Sequence, residues 1–238
     1  GVGDGANIHD NYDTDEIWLD SAALIGGSFN LSNNLSLSVL DIDALADVEG
    51  SMTLNSNGSL DTLYAPSLVT VQGSLQFNSN NGIELIDLPN LDEIEGSFRF
   101  EYNHYVEDLL LPALTEINGQ LYMYSNDRLK IIDMEGLLET GSSVQMQYNY
   151  QVDTVRLDSL QSVNGSFEVR SMNQVNVLEM PSLIEVNGSF NLSNNSSVEH
   201  FGAPLFEDLT GSLTIRDNGD LRTVDLSSLE CIEDFTIV

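Results

Sequence analysis

The sequence predicts an all-β protein, a single parallel β-solenoid of nine 23-residue coils. Three observations carry that prediction. A Gly-Ser pair followed by an apolar residue recurs at Gly27, Gly50, Gly73, Gly96, Gly165, Gly188 and Gly211, with Gly119-Gln120 and Ser142-Ser143 in the same phase. A fixed period of this length, held without insertion, is the signature of stacked repeats. Seven columns of every unit are apolar, and across the nine units only Thr140 interrupts them. All five prolines, Pro66, Pro89, Pro112, Pro181 and Pro204, fall in a single column.

The unit reads G-S-φ-x-φ-x-x-N-x-x-φ-x-x-φ-x-φ-P-x-L-x-x-φ-x, where φ is apolar; Gly50 to Gln72 is a clean copy. The φ-x-φ after Gly-Ser alternates with period two and predicts a short strand, and the φ-x-φ before proline predicts a second. Proline lacks an N–H and restricts the residue before it to extended geometry, so its column ends the second strand at a corner. The Gly-Ser column marks the other corner, where a permissive backbone is useful. Between the strands, Asn34, Asn57, Asn80, Asn103, Asn126, Asn149, Asn195 and Asn218 share one column, broken only by Met172. An inward amide there can satisfy backbone groups of its own turn and of the next coil, which predicts a stacked ladder.

The coils start at residues 27, 50, 73, 96, 119, 142, 165, 188 and 211, and Ile17, Leu19, Ala22 and Ile25 match the second half of a preceding unit. The solenoid is therefore placed at 17–238, about 43 Å long at strand spacing, behind a polar, acidic segment 1–16 that is a linker or partial cap. Asp234 to Val238 begin a further unit one residue out of phase. No polar cap follows it, and solenoid ends need covering; either a longer chain continues or another subunit stacks there.

Composition restricts the partners. Thirty-eight acidic side chains against seven basic ones give a net charge of −31, which excludes nucleic acid and anionic membrane surfaces. A hydrophobic content of 41% supplies a core and argues against a disordered acidic tail. No apolar run of about 18 residues is present, so direct membrane insertion is not expected. Cys231 is the single cysteine and makes no disulfide within the chain. Acidity this strong suits a salt-rich or divalent-rich medium that screens self-repulsion, and the chain is expected outside the cell or on its surface.

The combination of φ-x-φ-x-x-N, φ-x-x-φ-x-φ-P-x-L and the Gly-Ser corner, as in GSLTIRDNGDLRTVDLSSLECI, resembles the repeats of the receptor L-domain family. It is also similar to the repeats of fungal GPI-anchored cell-wall proteins. The resemblance covers roughly residues 17–238 and implies a right-handed solenoid related to leucine-rich repeats. The cysteine-rich ends that often flank such domains are missing. The fold it implies is specific, but the fold alone does not define a function.

The candidate site is aromatic. Six of the eight tyrosines, Tyr102, Tyr105, Tyr122, Tyr124, Tyr148 and Tyr150, fall in units four to six. Tyr122 and Tyr124 occupy outward columns of the first strand, and Arg99, His104, Glu101, Gln145 and Gln147 border them. Amphipathic rings beside arginine suit recognition of protein or glycan, although tyrosine is also simply a good strand former. Threonine arrays suited to ice are absent, since those columns hold Thr53 and Thr214 among mixed residues. Two acidic columns, Asp47, Glu93, Glu116, Glu139, Glu185 and Asp208, and Asp41, Asp87, Asp133, Glu179 and Asp225, read as solvated faces. Calcium is the one ion they could bridge; no other cofactor and no metal ligand set is expected. His9, His104 and His200 are scattered over the repeat, and no nucleophile elbow, Walker loop or HExxH occurs, so no catalytic residue is assigned. Among the glycosylation sequons, Asn30 and Asn191 point outward, whereas Asn34, Asn57 and Asn195 belong to the ladder. The function expected is a noncatalytic extracellular recognition or adhesion module; the alternative is a structural subunit that self-associates through its ends into a filament or surface layer.

Overall fold

The computed structural model describes residues 3–230 and 235–237, which form a parallel β-solenoid containing no helix. Cys231, Asp234 and Val238 lie outside the described residues. Each coil sends one strand to each of three faces. Four-residue strands such as Met52–Asn55 make the wide face, an unbroken eleven-stranded sheet from Ala6–His9 to Phe235–Ile237. Three-residue strands such as Thr62–Tyr64 make a second face, divided into groups of two, five and three strands. Two-residue strands such as Thr70–Val71 make a narrow third face of nine strands. No helix among the described residues is long and apolar enough to cross a membrane.

Every pairing is parallel, and Leu75 faces Met52 on one side and Phe98 on the other. A column of the sequence repeat is thus a column in space. The last pair departs from this, since Leu213 faces Phe235, one residue short of the period. The third strand was not expected from sequence. Two residues are too few to display period-two alternation, and stacking alone extends them. The stack also begins earlier than residue 17. Ala6–His9 pairs with Phe29–Ser32 and Glu16–Trp18 with Val39–Asp41, while Ala6 and Ile8 pack on the core. Ten coils of strand stacking span about 48 Å.

The seven apolar columns point inward. In the second unit Met52, Leu54, Leu60, Leu63, Ala65, Leu68 and Val71 are all fully buried. Thr140 is buried too, and its hydroxyl donates to the Ser142 carbonyl at 2.9 Å. The glycine corner needs correction. Among the described residues no glycine has positive φ, so conformational freedom is not why glycine stands there. A Cβ on Gly50 would lie 2.7 Å from the Ser28 backbone nitrogen and Oγ. Close approach of successive coils favours glycine there, with Ser142 the exception in the sixth coil, and the serine beside it accepts the next coil's N–H, as Ser51 to Ser28 at 3.1 Å.

The asparagine column runs between coils rather than within its own turn. Asn57 donates Nδ2 to Leu31 O in the coil below at 3.0 Å and to Asn80 Oδ1 above at 3.2 Å. Its Oδ1 accepts both the backbone N–H and Nδ2 of Asn34 at 3.3 Å. All four hydrogen-bonding positions of the amide are therefore used. The same pattern links Asn34, Asn57, Asn80, Asn103, Asn126 and Asn149, and the Asn195 backbone N–H donates to Asn218 Oδ1 at 3.0 Å. Asn11, hidden in the acidic lead-in, adds a further rung through Asn34 Oδ1 at 3.0 Å. Met172 interrupts the ladder; its own N–H still reaches Asn195 Oδ1 at 2.9 Å.

Candidate binding face

Immediately before each ladder residue the chain turns through the left-handed region. Asp10, Asn33, Ser56, Ser79, Tyr102, Ser125, Tyr148, Ser171, Asn194 and Asp217 all have φ between 54° and 58°. Eight of these are short polar residues. Left-handed backbone costs an ordinary L-residue roughly 1–2 kcal/mol, and Asn and Asp bear it best. Tyr102 and Tyr148 are the two bulky residues in the column, and backbone strain retained without local need points to use of the side chain.

Those two rings complete a continuous aromatic patch along the rim of the wide face. Tyr124 is flanked edge-on by Tyr102 at 5.5 Å and by Tyr148 at 5.3 Å between centroids. Tyr122 stacks beside Tyr124 at 6.1 Å, and Tyr150 closes on Tyr148 at 6.1 Å. Arg99 lies over Tyr122 and Arg170 over Tyr148, each 5.5 Å from the ring, close enough for cation–π attraction. His104 lies 6.3 Å from Tyr102 and is paired with Asp127 at 2.9 Å. All seven residues expected at the site, Tyr102, Tyr122, Tyr124, Tyr148, Tyr150, Arg99 and His104, are thus in one neighbourhood. Sequence reasoning missed Arg170, although its column, one coil beyond Gln147, was readable from the period. Tyr105 stands apart, under Arg128 at 4.5 Å.

Burial leaves the patch half-accessible, with Tyr102 and Tyr150 exposed and Tyr122, Tyr124 and Tyr148 half-buried. Burial, together with the Glu101 carboxylate, holds the Tyr122 phenol above its usual range.

The charge pattern singles out this face. From Ala6 to Arg216 the outward columns of the wide face carry two carboxylates, Glu101 and Glu168, and three guanidiniums, Arg99, Arg170 and Arg216. The remainder is chiefly Asn, Gln, Ser, Thr and Tyr. The narrow face shows the contrary choice, with Asp47, Glu93, Glu116, Glu139, Glu185 and Asp208 in six of its nine outward positions and no base. Glu93, Glu116 and Glu139 face one another in successive strands. Burial, with repulsion from Glu139 and Glu93, pushes the Glu116 carboxyl above its usual range. On the second face Asp133 is instead paired with Arg156 at 2.6 Å. Among the described residues no three or more His, Cys, Asp or Glu side chains converge where they could hold a metal ion.

Asn30 and Asn191 lie half-buried on the wide face, and Asn30 Nδ2 donates to Asn7 Oδ1 at 2.9 Å. Away from the patch, His200 bridges Glu179 at 2.8 Å and Thr223 Oγ1 at 2.5 Å. Gly202 makes room, since a Cβ there would lie 2.4 Å from Glu179 Oε2.

The geometry defines a class, a parallel β-solenoid with one nearly uncharged aromatic face on an acidic body. No family model matches the chain, and no curated protein matches it. Among solved structures it is similar to a leucine-rich repeat protein from Bacteroides ovatus ATCC 8483, with 14% identity, a TM-score of 0.36, and coverage of 97% of this chain and 83% of that one. The fold assignment rests on the strand register described above.

Proposed function

We propose that this protein is a noncatalytic recognition or adhesion module that works outside the cell or on its surface, holding a protein or glycan against the tyrosine patch. One observation carries the reading: a chain of net charge −31 keeps its widest face almost free of carboxylates and concentrates tyrosine and arginine there. Clustered Tyr and Arg are the side chains that dominate binding energy at interfaces. The two left-handed tyrosines support it, because they add rings at a cost the other coils avoid. The resemblance of the repeat to receptor L-domains and to fungal cell-wall proteins supports placement at a cell surface.

The test pans a phage-displayed peptide library and a glycan array with the protein and with its Tyr122→Ala/Tyr124→Ala variant. A ligand recovered by the first and lost by the second is the expected result. Absence of any tyrosine-dependent ligand in both libraries overturns the reading. So does sedimentation and negative-stain microscopy showing ordered, concentration-dependent polymers, which would indicate end-to-end assembly as the structural role.

A further inference from the structure

We infer that the ligand of the wide face is an uncharged polysaccharide, lying lengthwise across successive coils over the tyrosine patch. The inference rests on the recognition reading above and specifies its ligand. Three observations lead to it.

The first is charge. A body of −31 repels polyanions at any distance salt does not screen, so acidic glycans and nucleic acids are disfavoured before contact. A cationic partner would be drawn to the carboxylates of the narrow face, not to the wide face, where arginines outnumber them. A neutral polymer is indifferent to the field of the body and is the ligand to which a nearly neutral face is matched.

The second is the chemistry of the outward columns. Asn7, Asn30, Asn55, Asn78, Gln76 and Gln145 recur along the face, and each amide offers donors and an acceptor from one planar group, as neighbouring sugar hydroxyls require. Tyr102, Tyr124 and Tyr148 come from three consecutive coils and meet in sequence along the stack. The row of rings therefore follows the long axis, as a linear chain would. A peptide adding itself as a strand finds no purchase on the face, because the backbone groups of these strands are already paired within the sheet, and such pairing takes place at edges.

The third is incomplete polar satisfaction. Among the described residues five buried side-chain atoms are without a protein hydrogen bond, and four of them, Asn55 Oδ1, Asn191 Oδ1, Ser193 Oγ and Arg170 Nε, belong to outward columns of the wide face; the fifth, His104 Nδ1, lies in the turn beside Tyr102, where the Asp127 carboxylate stands 2.9 Å away. Ser193 is 1% exposed. Buried polar atoms are normally paired. Arg170 borders Tyr148, while Asn55, Asn191 and Ser193 stand three coils along the stack from Tyr124 and Tyr122 in the same columns, so these four exceptions are spread lengthwise over the wide face, as a surface completed by a long hydroxyl-rich ligand requires.

The experiment is a glycan array carrying uncharged polysaccharides (β-glucans, mannans, xylans, chitooligosaccharides) and acidic ones (polygalacturonate, alginate). The whole chain is probed alongside Tyr122→Ala/Tyr124→Ala and Tyr122→Phe/Tyr124→Phe. The expected result is binding to an uncharged polysaccharide that weakens at least about tenfold in the alanine pair, equivalent to roughly 1.4 kcal/mol, and is largely kept by the phenylalanine pair. Binding should change less than about twofold between roughly 0.05 and 0.5 M NaCl, because no charge is screened. Unchanged melting of the alanine pair shows that the loss is one of contact and not of fold. Binding confined to acidic glycans, binding that survives the alanine pair, or no glycan binding at all overturns the inference. Peptides that bind in a tyrosine-dependent way while no glycan does would leave the recognition reading standing and remove this one; the absence of any tyrosine-dependent ligand removes both.

Discussion

Along the wide face the outward residues that succeed one another coil by coil include Gln76, Arg99, Tyr122, Gln145 and Glu168. Along the narrow face the matching run is Thr70, Glu93, Glu116, Glu139 and Ser162. Both runs belong to parallel strands in the same 23-residue register, and both cover the same buried core. The difference lies in what the register multiplies. Like charges about 4.8 Å apart repel by roughly 0.9 kcal/mol per pair even in water, and the narrow face accepts that penalty repeatedly. Nothing in the strand geometry prevents the wide face from doing the same. Its near neutrality is therefore a property of the surface and its use, not of the fold beneath it.

The largest test of this contrast lies under the two faces. Asn126 anchors the turn that carries the aromatic rim, accepting the Asn103 N–H at 3.0 Å and donating to Phe100 O and Asn149 Oδ1 at 2.9 Å. Asn126→Ala strands several buried groups at about 1–3 kcal/mol each, so a loss of at least about 3 kcal/mol is expected from urea denaturation. Thr140, the polar residue beneath the narrow face, makes one side-chain bond to Ser142, and Thr140→Val should cost no more than about 1 kcal/mol. Equal losses would show that the ladder is not what distinguishes the two sides.

The gap in that ladder supplies a second test of opposite sign. At Met172 the Asn149 amide loses the acceptor that every earlier rung enjoys. Met172→Asn would restore it, along with a donor to the Met146 carbonyl. Four bonds would return, from Asn149 N–H and Nδ2 to the new Oδ1 and from the new Nδ2 to Met146 O and Asn195 Oδ1, contributing about 1 kcal/mol each, against the lost burial of the Met side chain at about 1.5–3 kcal/mol. A net gain of about 1 kcal/mol in the urea midpoint analysis is expected, because the other coils already accommodate asparagine in that space. A net loss would mean that the seventh coil has repacked around the thioether.

These outcomes mark what the sequence could and could not reveal. Period, inward columns and the asparagine ladder were legible because each is a single residue type repeated in phase. The tyrosine neighbourhood was legible because the period converts sequence position into spatial position. Three features were not. The strand at Thr70–Val71 is too short to alternate, and the first coil was masked because Asp4-Gly5 replaces Gly-Ser and acidic residues surround Asn11. The left-handed backbone at Tyr102 and Tyr148 is a conformational fact that the identity of the residue argues against. Its column is visible in sequence, but a reader expects Ser, Asn or Asp there and sees tyrosine as an exception rather than as strain.

That strain predicts a smaller effect on the wide face. Tyr148→Asn relieves left-handed backbone worth roughly 1–2 kcal/mol and forfeits edge contacts to Tyr124 and Tyr150 and the Arg170 contact, about 0.5–1.5 kcal/mol per aromatic pair. The terms offset, so thermal melting should move by no more than about 1 kcal/mol equivalent, while ligand affinity falls about tenfold. A large loss of stability would assign the ring to packing alone.

The smallest effect belongs to the narrow face and is read through pH and salt. The Glu116 carboxyl is held above its usual range in the fold by burial and by Glu139 and Glu93, so the native state binds its proton more tightly than the unfolded chain does. Stability from this group is fully present below the unfolded value, near pH 4.3, and is lost as pH rises through the elevated folded value. Acidifying from neutrality should therefore raise the melting temperature. Glu107 acts in the other direction, because Lys130 lowers its carboxyl, but its contribution is lost only at a pH below the usual carboxylate range. The two windows are separate, and stability should peak between them. Glu116→Gln should raise the neutral-pH melting temperature slightly and flatten the acid-side gain, with no effect on ligand binding at the wide face. Because the repulsion is one of screened like charges, NaCl and CaCl₂ at matched ionic strength should raise the melting temperature alike. A rise specific to micromolar calcium would mean that the carboxylate column is bridged, and the two faces would then differ in ligand rather than in charge alone.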